Sequence, residues 1–143
     1  GDMINLSAPV GGFSIENTER PQLFIGSGVG MTPLVSMFKK AASLNVPTQM
    51  IQAVVTEDER PFAQKLDSIT DNYEQAQLHL HVKDKEGYLE AKELEQYLSE
   101  QPEIYICGGT KFLHSIINSL KELNYDMNHV HFETFIPRLS VQV

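Results

Sequence analysis

The sequence predicts an α/β domain built on a doubly wound, five-stranded parallel sheet in the order 3-2-1-4-5. Three observations predict it. Short apolar runs of strand length alternate with longer stretches of helical periodicity, giving the order β-α-β-α-β-α-β-α-β. Glycine turns, Gly26 to Gly30 and Gly108-Gly109, follow the first and fourth of these strands. Right-handed crossovers then leave few ways to wind the chain. In this order the first and fourth strands are neighbours where the winding reverses, and ligands of such sheets lie outside the carboxyl ends at that point.

The elements follow in turn. Leu23-Phe24-Ile25 is an apolar run of the kind that suits a strand buried on both faces. Pro33 to Leu44 reads as a helix, with Leu34, Phe38, Ala41 and Ala42 on one face and Lys39 and Lys40 on another; Asn45-Val46-Pro47 ends it. Met50 to Val55 is the second strand. Phe62, Leu66 and Ile69 mark a second helix. Leu78, Leu80 and Val82 alternate with His79 and His81, which suggests a third strand with one wet face. Leu94, Tyr97 and Leu98 mark a third helix, and Ile104 to Cys107 a fourth strand. Phe112, Leu113, Ile116, Ile117, Leu120 and Leu123 form the clearest helical stripe, and Val130 to Phe135 reads as a fifth strand.

The start of the chain does not fit this alternation. Met3 to Ala8 reads as one strand, halted by Pro9 and Gly11-Gly12, and a polar linker follows. Residues 1–15 are therefore expected to be the last strand of a domain absent from this chain, 16–21 a linker and 22–143 the domain proper. An extra edge strand on the main sheet is the alternative.

Composition narrows the function classes. A formal net charge of −8 disfavours nucleic acid and anionic membrane surfaces as partners. No apolar run approaches the roughly 18 residues that span a bilayer. The single cysteine, Cys107, excludes an internal disulfide and a self-contained four-thiolate cluster, and fits a cytoplasmic setting. His79 and His81 lack a suitably spaced third ligand, so no metal site is expected.

The first glycine turn runs into Met31-Thr32-Pro33. Thr32 suits an N-cap and Pro33 the first helical position, and the free N–H groups of such a helix end suit a pyrophosphate. Methionine at position 31 breaks the common Gly-x-Gly-x-x-Gly fingerprint of dehydrogenases. Both glycine turns should flank one crevice.

Four motifs occur in sequence: GSGVGMTP (26–33), EGYL (86–89), YICGG with Phe112 (105–112) and HFETFIP (131–137). Together they resemble the nucleotide-binding domain of the ferredoxin–NADP reductase superfamily. The closing HFETFIP is most similar to the carboxyl end of flavohaemoproteins, the bacterial nitric oxide dioxygenases, and GDMINLSAPVGGF to the last strand of their flavin-binding barrel. The resemblance implies a reductase domain that takes a hydride from NADH or NADPH and passes it to FAD held mainly on the missing barrel. In such a family single electrons continue to a haem globin in the same chain, where nitric oxide and oxygen become nitrate. It further implies that Gly28, Val29, Gly30, Met31, Thr32 and Pro33 hold the pyrophosphate and nicotinamide end. Cys107, Gly108 and Gly109 would line the nicotinamide site, Glu133 would tune the flavin, and Thr134, Phe135, Ile136 and Pro137 would contact FAD. Cys-Gly-Gly stands where the family often has Cys-Gly-Pro, and threonine follows Glu133 where some members have cysteine.

Other readings remain open at this point: the reductase of another electron-transfer chain, such as one serving an oxygenase, or a nucleotide-binding module without redox chemistry. A receiver-like domain is disfavoured because no acidic cluster follows strand 1. Cys107, Glu133 and Phe135 also have plain readings, as core residues and a surface carboxylate. Glu57, Asp58 and Glu59 follow strand 2, where the adenosine ribose should lie, and favour NADH over NADPH; Arg60 argues the other way.

Overall fold

The computed structural model describes Ile15 and residues 19–134. The expectations for residues 1–14, for linker residues 16–18 and for Phe135, Ile136 and Pro137 lie outside the described residues.

Five parallel strands form one sheet: β1 (Gln22–Ser27), β2 (Thr48–Val54), β3 (Ala76–Val82), β4 (Glu103–Gly108) and β5 (Val130–Thr134). Their order is β3-β2-β1-β4-β5, the winding the sequence predicts. Helices α1 (Thr32–Ser43), α2 (Ala63–Asn72), α3 (Lys83–Glu86), α4 (Ala91–Glu95) and α5 (Thr110–Glu122) connect them. The central strands carry apolar side chains on both sides because helices cover both faces. Phe24, Met50, Tyr105 and Cys107 pack under α1 and α2. Leu23, Ile25, Ile51, Ile104 and Ile106 pack under α4 and α5. Phe24 stacks on Tyr105 at 5.1 Å and meets Phe38 edge-on at 6.0 Å, which anchors α1 over the middle of the sheet. Register then fixes the level of the strand ends: Gly26 lies beside Cys107, Ser27 beside Ala53, and Gly108 beside Thr134.

Several elements differ from expectation. The second helix starts at Ala63, and Phe62 precedes it in a left-handed conformation (φ 62°), its ring packed on the α1–α2 side of the core. The turn needs that conformation, and burial of the ring offsets its cost. The helix predicted around Leu94 is α4, which ends at Glu95, so Tyr97 and Leu98 lie beyond it, yet both still pack on the core. Apolar spacing reports the buried side, and two consecutive turns can bury residues as a helix does. The face of β3 that carries the histidines is wet only at its start: Gln77 is exposed, His79 is half-buried and His81 is 7% exposed. His79 hydrogen-bonds Gln49 at 2.7 Å and packs edge-on against Tyr97, while His81 hydrogen-bonds the Gly87 carbonyl at 2.9 Å. Burial lowers the pKa of His79 from its ordinary value.

Candidate functional site

The first glycine turn begins where β1 leaves the sheet. Ser27 is extended (φ −141°, ψ 148°), and Gly28 then takes φ +62°, a left-handed value that a side chain disfavours. Residues Gly28–Met31 wind as one tight helical turn that passes straight into α1. The helix therefore starts at Thr32, with Met31 as its cap residue and Pro33 second, one position earlier than the sequence suggests. The tight turn has already curled the chain, so no extended residue is left to cap it. No side-chain oxygen caps α1, and no acidic residue sits in its first turn; the same holds for α5. By contrast α4 closes its own end with a Glu90–Glu93 capping box.

The second glycine turn meets the first. A Cβ on Gly108 would lie 2.7 Å from the Phe112 ring and 2.8 Å from the Ser27 hydroxyl, so only glycine lets β4 end this close to β1. Beside the first turn opens a cavity of about 800 Å³, bounded by Ser27 and Gly28, by Ala53 to Val55 at the end of β2 and just past it, by Lys83 just past β3, and by Lys111 and Phe112 of α5. Leu89 and Ile116 give it an apolar floor. Tyr88 stands at its edge, 68% exposed, with the Lys83 ammonium 4.4 Å from the ring centre. Lys83, with Lys111 adding to it, draws the Tyr88 hydroxyl pKa below its usual range.

Of the residues named from sequence, Gly28 lines this cavity. Val29 and Gly30 belong to the adjoining tight turn, and Thr32 and Pro33 open α1. Met31 is fully buried against the other face of the sheet. Cys107 lies on that face too, 2% exposed. Burial, with the nearby Glu133 charge second, pushes its thiol up to about 12, so it remains protonated. Glu133 pairs in register with Cys107 at the end of β5, and partial burial raises its pKa. Gly109 precedes α5 as its cap residue, with open space where a Cβ would be. Thr134 closes β5 beside Gly108.

Lys83, Tyr88 and Lys111 were missed as site residues. A signal existed for Lys111: a base in the first turn of a helix, where an acid would suit the dipole better. Tyr88 lay inside the EGYL motif. Nothing in sequence spacing brings these three together. The acidic loop lies nearby, with Glu59 at the cavity wall and Glu57 bound to Lys85 at 2.7 Å. Among the described residues no cluster of His, Cys, Asp and Glu could hold a metal, and no helix is long and apolar enough to cross a membrane.

The profile of the family described as oxidoreductase NAD-binding domain matches residues 24–117, from β1 into α5. The chain belongs to that family. This NAD-binding domain is 28% identical to flavohemoprotein B of Dictyostelium discoideum over 99% of the chain and 37% of that relative. It is also 28% identical to a flavohemoprotein of Bacillus cereus, over 99% of the chain and 39% of the relative. The domain thus spans under two fifths of the length of these curated relatives. Its fold matches the crystal structure of the flavohem-like FAD/NAD binding domain of nitric oxide dioxygenase from Vibrio cholerae. That match has a TM-score of 0.74 at 24% identity, over 91% of this chain and 57% of that one. The resemblance drawn from the four motifs is borne out: this is an oxidoreductase NAD-binding domain, similar in sequence to flavohemoproteins, and its fold is of the ferredoxin–NADP reductase type.

Proposed function

We propose that the cavity at the carboxyl ends of β1, β2 and β3 binds NADH or NADPH, and that the domain serves a flavohaemoprotein-type nitric oxide dioxygenase. One observation carries the binding site: two glycine turns on neighbouring strands meet beneath helix ends with neither side-chain cap nor first-turn acid. Such ends attract phosphate through their N–H groups and dipoles. The cavity, at about 800 Å³, is within the range of small-molecule sites. Gly28, Val29, Gly30, Met31, Thr32 and Pro33 would hold the pyrophosphate side, and Lys83 and Lys111 would add positive charge. Tyr88 would offer a flat ring to the adenine. Gly108 and Gly109 would leave room for the nicotinamide, with Cys107 as a neutral thiol behind them.

When bound, the nicotinamide supplies a hydride and FAD accepts it. Glu133, Thr134, Phe135, Ile136 and Pro137 would form the near edge of the flavin site, and residues 1–15 the last strand of the FAD domain. Electrons would then serve a haem globin that converts nitric oxide and oxygen to nitrate in the cytoplasm. The flavohemoprotein relatives and the order of the motifs support this reading.

Titration calorimetry with NAD⁺ tests the binding site. Lys111→Gln should weaken binding and reduce its dependence on salt while the melting temperature stays put. Unchanged binding would place the coenzyme elsewhere. NADH-dependent nitric oxide consumption by the chain joined to its preceding domains tests the wider function. Electron delivery to a different acceptor in its place would favour an oxygenase reductase.

A further inference from the structure

The β2–α2 loop holds an arginine that the crevice does not use. Glu59 and Pro61 line the cavity wall, yet Arg60 between them turns its side chain away. Its Nη2 donates to Asp67 Oδ1 at 3.0 Å and its Nη1 to Asp67 Oδ2 at 3.5 Å, on the second turn of α2. Its Nε donates to Gln52 Oε1 at 3.3 Å. Gln52 is completely buried in central strand β2, and its Nε2 donates to the Pro61 carbonyl at 2.8 Å. One buried amide thus fixes both the arginine and the backbone that follows it. A two-point guanidinium–carboxylate pair sets direction as well as distance, so the cation is committed to the α2 side of the sheet.

We infer that Asp67 and Gln52 are specificity-positioning residues: they hold Arg60 off the crevice and so deny a 2′-phosphate its arginine. The inference rests on the nucleotide reading of the crevice. Glu57, Asp58 and Glu59 precede Arg60 in the same loop. Glu57 is paired with Lys85, so with Arg60 neutralised by Asp67 it is Glu59 at the cavity wall that meets the adenosine end, which disfavours a phosphomonoester over a hydroxyl. Lys83 and Lys111 attract both coenzymes through the shared pyrophosphate. The quantity under control is therefore the ratio of affinities for the two coenzymes.

Asp67 is more than half exposed, so Asp67→Asn should fold. In that variant Arg60 loses its charged partner at the cavity rim. Titration calorimetry of the wild-type chain and of Asp67→Asn, with NAD⁺ and NADP⁺ at two salt concentrations, reads the result. Asp67→Asn should raise NADP⁺ affinity about fivefold, leave NAD⁺ affinity unchanged, and lose the gain at high salt. Adding Arg60→Gln should abolish the gain, whereas Arg60→Gln alone should alter neither affinity. A lower NADP⁺ affinity in Arg60→Gln alone would mean the arginine already serves the phosphate and would overturn the inference. An unchanged affinity ratio in Asp67→Asn, with NAD⁺ still bound, would overturn it as well. A wild-type chain that binds neither coenzyme would overturn the nucleotide reading beneath it.

Discussion

The two ends of the parallel sheet treat their polar groups in opposite ways. At the amino end, Glu103 opens β4 at 3% exposure and is surrounded by donors. His129 Nδ1 lies 2.9 Å from one of its oxygens, His131 Nε2 lies 2.6 Å from the other, and Arg20 Nε lies at 3.5 Å. His131 stacks on Tyr105 at 5.0 Å, and the Tyr125 hydroxyl donates to the Pro102 carbonyl. A hollow of about 550 Å³ exists here too, but Arg20 and His129 on its wall already face Glu103 and Asp126. At the carboxyl end, glycines replace side chains, helix ends go without side-chain caps, and Lys83 and Lys111 line a cavity. Groups that satisfy one another stabilise the fold, and groups aimed at open space are available to a ligand. The same strands carry both arrangements.

Breaking the amino end should therefore cost stability and spare binding, and breaking the carboxyl end the reverse. The largest expected effect is on Glu103. Glu103→Ala strips His129 and His131 of their shared acceptor and Arg20 of its ion-pair partner. It should cost about 3 kcal/mol in urea unfolding. NAD⁺ affinity of the folded fraction should stay within twofold. A loss of affinity without a loss of stability would mean the two ends are not separate. Next comes Gly28→Val, which places a branched side chain at φ +62° beside the cavity. Strain should lower stability by about 1–2 kcal/mol, and NAD⁺ affinity should fall at least roughly tenfold. Full-strength binding in calorimetry would rule out this turn as the phosphate site.

Cys107 sharpens the comparison through pH. Its thiol pKa is raised in the folded state, so the native chain keeps a proton that the unfolded chain releases. That contribution is whole below the ordinary thiol range, about pH 8.5, and is lost as pH rises toward about 12. Stability should fall by about 2 kcal/mol between pH 8 and 10, and Cys107→Ala should flatten that slope. Rapid alkylation of the native thiol at pH 8 would contradict it. The smallest effect belongs to Tyr88→Ala. The side chain is mostly exposed, so the melting temperature should not move, while NAD⁺ affinity should drop about threefold. Equal affinity of variant and wild type would take the ring out of the site.

Much of this was written in the sequence, for a simple reason. Strand and helix periods are local, the two glycine turns are local, and a right-handed α/β winding permits few orders. So the sheet, its order and the closeness of the two glycine turns could be read directly. Boundaries were less legible. Thr32 has the chemistry of an N-cap, but the turn before it was already coiled. Tyr97 and Leu98 have helical spacing, but they pack from turns. His79 and His81 look polar enough for a wet face, but Tyr97 and the Gly87 carbonyl, brought in from the next connection, cover His79 in part and meet His81 where it is buried.

What the sequence alone determined was the architecture and the level at which the crevice opens, since both follow from period, turn chemistry and handedness. What only the tertiary structure decided was the direction of charged side chains. Arg60 and Lys111 both lie next to the crevice along the chain. One is drawn to Asp67 on the helix that follows its loop, and the other lines the cavity. A long flexible cation goes to whichever partner folding brings near, and for Arg60 that partner is set by how α2 and the buried Gln52 frame its loop.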